Sequence, residues 1–128
     1  MTPRQRVSGV SPYEERFGFC RAIRLGDRIV VSGTAPVWED GSCDPDAAVQ
    51  AARCIEIIEK ALKDLGASLS DVIRTRSYIV DPSDSEAVGL AHGAGFGTAR
   101  PVNTMVVVAA LVDERWKVEI EAEAVVGD

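Results

Sequence analysis

Alternation of apolar and polar residues is cleanest near the C-terminal end, where Trp116–Ala124 reads at period two. Val118, Ile120, Ala122 and Ala124 fall on one side and Glu119, Glu121 and Glu123 on the other. The first side needs a core. The second sets three carboxylates about 6.5–7 Å apart, a face that must be wet or matched by cations. A β-branched run, Asn103–Ala110, precedes this strand, and Asp113-Glu114-Arg115 turns the chain between them.

The remaining elements follow from the same patterns. Residues before about Ser11 are polar and aperiodic and read as a loose arm. Phe17–Arg24 and Ile29–Gly33 are strand-like around a Leu25-Gly26-Asp27-Arg28 turn, which predicts a hairpin. A first helix starts at Pro45 with Asp44 as N-cap, carries a stripe of Val49, Ala52, Ile55, Ile58, Leu62 and Leu65, and stops at Gly66. Asp71–Val80 is a strand with Val72, Arg74, Arg76 and Tyr78 on one face and Ile73, Thr75, Ser77 and Ile79 on the other. A glycine-rich second helix runs from Asp81-Pro82-Ser83-Asp84 to about Gly97, and Arg100-Pro101 forces an extended entry into the strand at Asn103.

The order is therefore β-β-α-β-α-β-β, an α+β domain over residues 1–128 with residues 1–11 as the arm: a mixed sheet with two helices packed on one face. The other face, with Glu119, Glu121 and Glu123, is left to self-association, and Arg74, Arg76 and Arg21 are its expected counter-charges.

A net charge of -6 without a long basic run argues against nucleic acid or an anionic membrane as partner. No apolar stretch follows Met1-Thr2-Pro3-Arg4-Gln5-Arg6, and the longest apolar run, Met105–Val112, is too short to span a bilayer. The expectation is a soluble, cytoplasmic protein. Cys20, Cys43 and Cys54 show no paired spacing, and His92 is the only histidine, so neither a disulfide framework, a metal site nor a serine triad is indicated. Cys20 and Cys54 read as small core residues and Cys43 as an exposed turn residue.

Leu25-Gly26-Asp27 before Val31-Ser32-Gly33, the Ala51–Gly66 helix, the strand ending Val80-Asp81, and Arg100-Pro101 followed by Val118-Glu119-Ile120-Glu121-Ala122 together resemble the RidA family of imine/enamine deaminases, from about Phe17 onward. The resemblance implies a chorismate-mutase-like fold, a homotrimer with three clefts between subunits, and cofactor-free, metal-free hydrolysis of 2-imino or 2-enamine acids to 2-oxo acids and ammonia. It implies a catalytic role for Glu119, which matches the glutamate that orients the attacking water, and a cleft role for Ser32. Phe19 stands at the place of the cleft tyrosine, with Tyr13 a more distant stand-in. Asn103 stands where deaminating members clamp the substrate carboxylate with arginine. Asn103, Ser32, Phe19, Arg100 and Met105 form the expected substrate-binding set. Asparagine donates a neutral hydrogen bond but no charged fork, so the implied function is binding of a small molecule in the inter-subunit clefts with altered or weak imine/enamine hydrolysis. The alternative is a non-catalytic trimeric ligand-binding or interaction protein.

Overall fold

The computed structural model describes residues 3–127; the first two residues of the expected arm and residue 128 lie outside the described residues. Six strands form one sheet: β1 (Arg4–Val7), β2 (Ala22–Leu25), β3 (Arg28–Thr34), β4 (Val72–Ile79), β5 (Val102–Val107) and β6 (Val118–Val125). Their spatial order is β1-β2-β3-β6-β4-β5, with β4 and β5 parallel and every other pair antiparallel. Three helices accompany them: α1 (Tyr13–Phe17), α2 (Ala47–Asp64) and α3 (Ser85–Phe96). Helices α2 and α3 cover one face of the sheet, as the alternation predicts, and Val118, Ile120, Ala122 and Ala124 are buried beneath them.

The N-terminal part differs from expectation. Arg4–Val7, read as part of a loose arm, pairs with β2 as an edge strand whose side chains stay largely exposed, so no alternation marks it. Tyr13–Phe17 is a short helix ended by Gly18, and the hairpin strand begins only at Ala22, not at Phe17. A further difference lies in β4. The register with β6 shifts between Val72 and Arg74, a bulge that puts Val72 on the core face with Thr75, Ser77 and Ile79 and leaves Ile73 exposed. A second shift in β3 between Val31 and Thr34 turns both of those residues toward the core, three positions apart, and displaces Ser32 and Gly33.

Helix α2 begins two residues later than the sequence suggests. Asp46 is the cap, its Oδ1 accepting from the Ala48 amide at 3.1 Å, while Asp44 accepts from the Asp46 amide at 2.9 Å in the turn before it. The buried stripe is Ala47, Ala51, Cys54, Ile55, Ile58, Ala61 and Leu62, so the expected Ile55, Ile58 and Leu62 are in the core while Val49 and Ala52 face outward. The stop at Gly66 is as expected: φ is +82°, and the amides of Gly66 and Ala67 return to Lys63 O and Leu62 O at 3.0 and 2.8 Å, a Schellman ending. Cys54 is fully buried, where desolvation pushes its thiol well above the usual range; Cys20 and Cys43 are half-buried.

One buried polar side chain ties α2 to the loop before β6. Gln50 donates to Asp44 O (2.7 Å) and Arg115 O (2.9 Å) and accepts from the Lys117 amide (2.7 Å). Replacing it with leucine strands three main-chain groups. Unsatisfied buried groups cost about 1–3 kcal/mol each, so Gln50→Leu is expected to lower the unfolding free energy by at least about 2 kcal/mol, read as a lower urea midpoint at unchanged slope.

Candidate functional site

Arg21, between α1 and β2, is buried to 4% exposure and every bond it makes is local to one end of the sheet. Its Nε and Nη2 each lie 3.3 Å from Glu14 Oε2, and its Nη1 donates to Gly33 O (2.6 Å) and Thr34 Oγ1 (3.0 Å). Glu14 is itself buried and accepts from the Gly9 amide at 2.9 and 3.1 Å. A buried charge without such partners would cost several kcal/mol. The pair therefore fixes residues 9–14, and α1 with them, against the end of β3.

Between α1, the end of β3 and the chain around Trp116 lies a cavity of about 170 Å³. Val10, Tyr13, Phe17, Phe19, Val37 and Trp116 supply most of an apolar wall, and Arg21, Gly33, Thr34 and Glu119 the polar side. The Phe19 ring lies 5.7 Å from the Arg21 guanidinium carbon, and the Tyr13 ring meets Trp116 edge-on at 6.3 Å. Trp116 is buried, and its indole N–H has no partner among the described residues.

Glu119 projects over Gly33. A Cβ on residue 33 would overlap Glu119 Oε2, so this carboxylate position goes with glycine and a side chain here would displace the carboxylate. No described residue donates a hydrogen bond to this carboxylate. Burial raises its pKa above the usual 4.5, the nearby Arg21 charge offsets part of that, and Glu121 adds to the rise. The other two acids of β6 are matched within the chain, and Arg76, one of the expected counter-charges, meets both. Arg76 Nη1 lies 3.2 Å from Glu121 and 3.9 Å from Glu123, Arg28 lies 3.0 Å from Glu123, and the Tyr78 hydroxyl donates to Glu121. Arg21, also named as a counter-charge, belongs to Glu14.

Of the sequence-derived set, the structure brings only Glu119 and Phe19 together in this cavity. Ser32 is next to Gly33, but its hydroxyl donates to Cys20 O at 2.7 Å. Asn103 and Met105 pair in register with Thr75 and Ser77 and so face the helix layer. Asn103 Nδ2 donates to Thr75 Oγ1 (2.8 Å), which also meets His92 Nε2 at 2.7 Å, and burial lowers the His92 pKa. Arg100 closes α3 through a bond from its amide to Phe96 O and holds a left-handed φ of 49° before Pro101. Tyr13, Phe17, Thr34 and Trp116 were not singled out as primary candidates. The short helix that carries two of them had no periodic signal, though the aromatic spacing Tyr13, Phe17 at i, i+4 was readable as a helical face. Among the described residues no three metal-binding side chains converge, and no helix is long and apolar enough to cross a membrane.

Residues 12–126 match the family described as Endoribonuclease L-PSP. An uncharacterised protein of Streptomyces coelicolor is 39% identical, over 94% of this chain and 90% of its own. A crystal structure from Mycobacterium tuberculosis, of a member of the YjgF/YER057c/UK114 family, superposes with a TM-score of 0.89 at 42% identity, covering 97% of this chain and all of that one. The 2-iminobutanoate/2-iminopropanoate deaminase of Salmonella typhimurium is 28% identical over 84% of this chain and 86% of its own.

The raised pKa of Glu119 carries a stability prediction with a definite sign. Because the folded state holds this proton more tightly than the unfolded state, the contribution is intact below the unfolded pKa and is lost as pH rises through the folded one. Glu119→Gln is therefore expected to melt at a higher temperature than the wild type at neutral pH, and the difference should vanish below about pH 4.5. Equal melting at neutral pH would contradict the desolvated setting of the carboxylate.

Proposed function

This chain belongs to the YjgF/RidA family, and from that premise we propose that it binds a small imine or enamine in the Glu119 cavity and hydrolyses it to a carbonyl compound and ammonia. The observation that carries the proposal is the Glu119 carboxylate, half-buried, free of protein donors and aimed at an apolar cavity. Such a carboxylate suits a general base near neutral pH. In the proposed sequence the substrate reacts as its iminium, C=NH2+, which an enamine reaches by taking a proton at its β-carbon; the C–O bond forms as Glu119 takes a proton from the attacking water and the C=N π pair moves onto nitrogen, giving a neutral carbinolamine. The protonated Glu119 then returns its proton to that nitrogen, the C–N bond breaks as ammonia leaves, and the hydroxyl proton passes to Glu119 or water as the oxygen becomes C=O. No cofactor enters this balance.

Activity on 2-imino acids is proposed to be altered or weak. The support is Asn103, at the position that the resemblance gives to carboxylate binding: its amide is engaged by Thr75 and lies on the helix side of the sheet. The net charge of -6 gives no support to a nuclease.

We further propose a homotrimer, with the uncovered sheet face turned toward neighbouring copies. Val30, Val102 and Val106, at 40, 61 and 39% exposure, share that face with Arg76, Tyr78, Glu121 and Glu123, and apolar strand residues mixed with matched charges suit burial against a like surface. Sedimentation velocity at micromolar concentration should return three times the 13.7 kDa chain mass; a monomer would remove the inter-subunit cleft from the proposal.

Hydrolysis is to be followed for imines generated in place by an amino-acid oxidase or an amine oxidase. Turnover above the uncatalysed rate is expected on at least one class, with Glu119→Gln lowering kcat by about 10²–10⁴. Uncatalysed rates on both classes would replace the hydrolase by a ligand-binding protein of the same fold.

A further inference from the structure

We infer that the Glu119 cavity selects a nitrogen-bearing ligand with one apolar ring or branched chain and no carboxylate. This rests on the proposed use of the cavity and narrows it to a substrate class: imines of simple amines, not of amino acids. Three features of the site converge on it.

The first is the state of Arg21, whose guanidinium is the only cation that the described residues of this chain place in the cavity wall. Both its Nε and Nη2 face Glu14, and Nη1 serves Gly33 O and Thr34 Oγ1. The charge of this guanidinium is already paired with a buried acid, so a ligand carboxylate gains little from it unless it displaces Glu14. Arg16 is the other nearby arginine, and it lies on the Tyr13 and Phe17 rings at 5.8 and 5.3 Å, not among the residues of the wall. The second is Glu119 itself, an acceptor with no protein donor, backed by a further acid at Glu121. An anion placed beside it is repelled, while an amine, iminium or N–H group supplies the missing donor. The third is the wall. Tyr13, Phe17, Phe19 and Trp116 line the cavity with aromatic rings, which favour a cation over an anion. The cavity volume of about 170 Å³ suits a single ring, since apolar cavities of about 150 Å³ accept benzene.

Any residue contributed by a second copy comes from this same sequence, so the intact assembly decides the matter. Isothermal titration of the full-length protein near neutral pH with benzylamine, benzyl alcohol and benzoate holds the ring constant and varies the charge. Benzylamine is expected to bind at least about tenfold tighter than benzoate, a gap of about 1.4 kcal/mol, with benzyl alcohol between them. Glu119→Gln should reduce the ratio to about twofold. Phe17→Ala, at an exposed wall position, should weaken benzylamine and benzyl alcohol alike; unchanged binding would put the ring outside the cavity and overturn the inference. Benzoate binding as tightly as benzylamine would overturn it directly, as would a preference that survives in a folded Glu119→Gln protein. If no probe binds while imine hydrolysis proceeds, this inference fails alone. If no probe binds and no imine is hydrolysed, the proposed use of the cavity fails with it.

Discussion

A guanidinium placed inside the protein at the head of the sheet is the constraint on which this end of the molecule turns. Arg21 is nearly inaccessible, and a charge in that position persists only when its donors are answered. Glu14 answers from the chain before α1, and Gly33 and Thr34 answer from β3. The consequence is mechanical as much as electrostatic. Residues 9–17 bury little apolar surface of their own, and Phe17 is 62% exposed, so it is the ion pair that holds the aromatic wall in place. The same bonds commit the cation that this chain places in the cavity wall to Glu14 and β3, and leave the neighbouring Glu119 carboxylate without a hydrogen-bond donor among the described residues.

The other charges of the sheet follow a looser rule. Glu121 and Glu123 are partly exposed and meet Arg76, Arg28 and Tyr78 at the surface. Exposed pairs of this kind contribute about 0–1 kcal/mol each, so they shape the uncovered face more than they stabilise the chain. Glu119 sits on the same strand face but outside that network. Its difference comes from position along the strand: it lies past the β3 bulge, where Gly33 opens a space and Arg21 is near in charge but donates to Glu14, Gly33 and Thr34 instead.

Much of the architecture was legible because burial imposes a period. The strand of Val118, Ile120, Ala122 and Ala124 could be read directly, as could the Schellman glycine after α2 and the turn that opens α3. Where the period is interrupted, reading failed for identifiable reasons. Ile73 and the Ser32-Gly33 pair are extra residues in a ladder, and a bulge reverses the face of everything beyond it without any change in composition. Arg4–Val7 buries almost nothing, and α1 is too short to show a stripe. In the candidate cavity, Glu119, Phe19 and the stand-in Tyr13 were legible in the sequence. Asn103 illustrates the limit: its chain position was clear, but the face it presents is set by parallel pairing of β4 with β5, which depends on the crossover through α3.

Gly33 gives the site an asymmetry in how it can change over time. On the sheet side, any side chain at this position displaces the Glu119 carboxylate from where it now lies, so variation in that wall moves the proton acceptor. On the opposite side, Tyr13 and Phe17 sit on a five-residue helix outside the main core cluster, anchored through Glu14 and the edge-on contact of Tyr13 with Trp116. Substitutions there are insulated from the stability of the sheet and helices. A lineage, or a laboratory selection, can thus rewrite the ligand-facing half of the pocket while the half that holds the proton acceptor stays fixed.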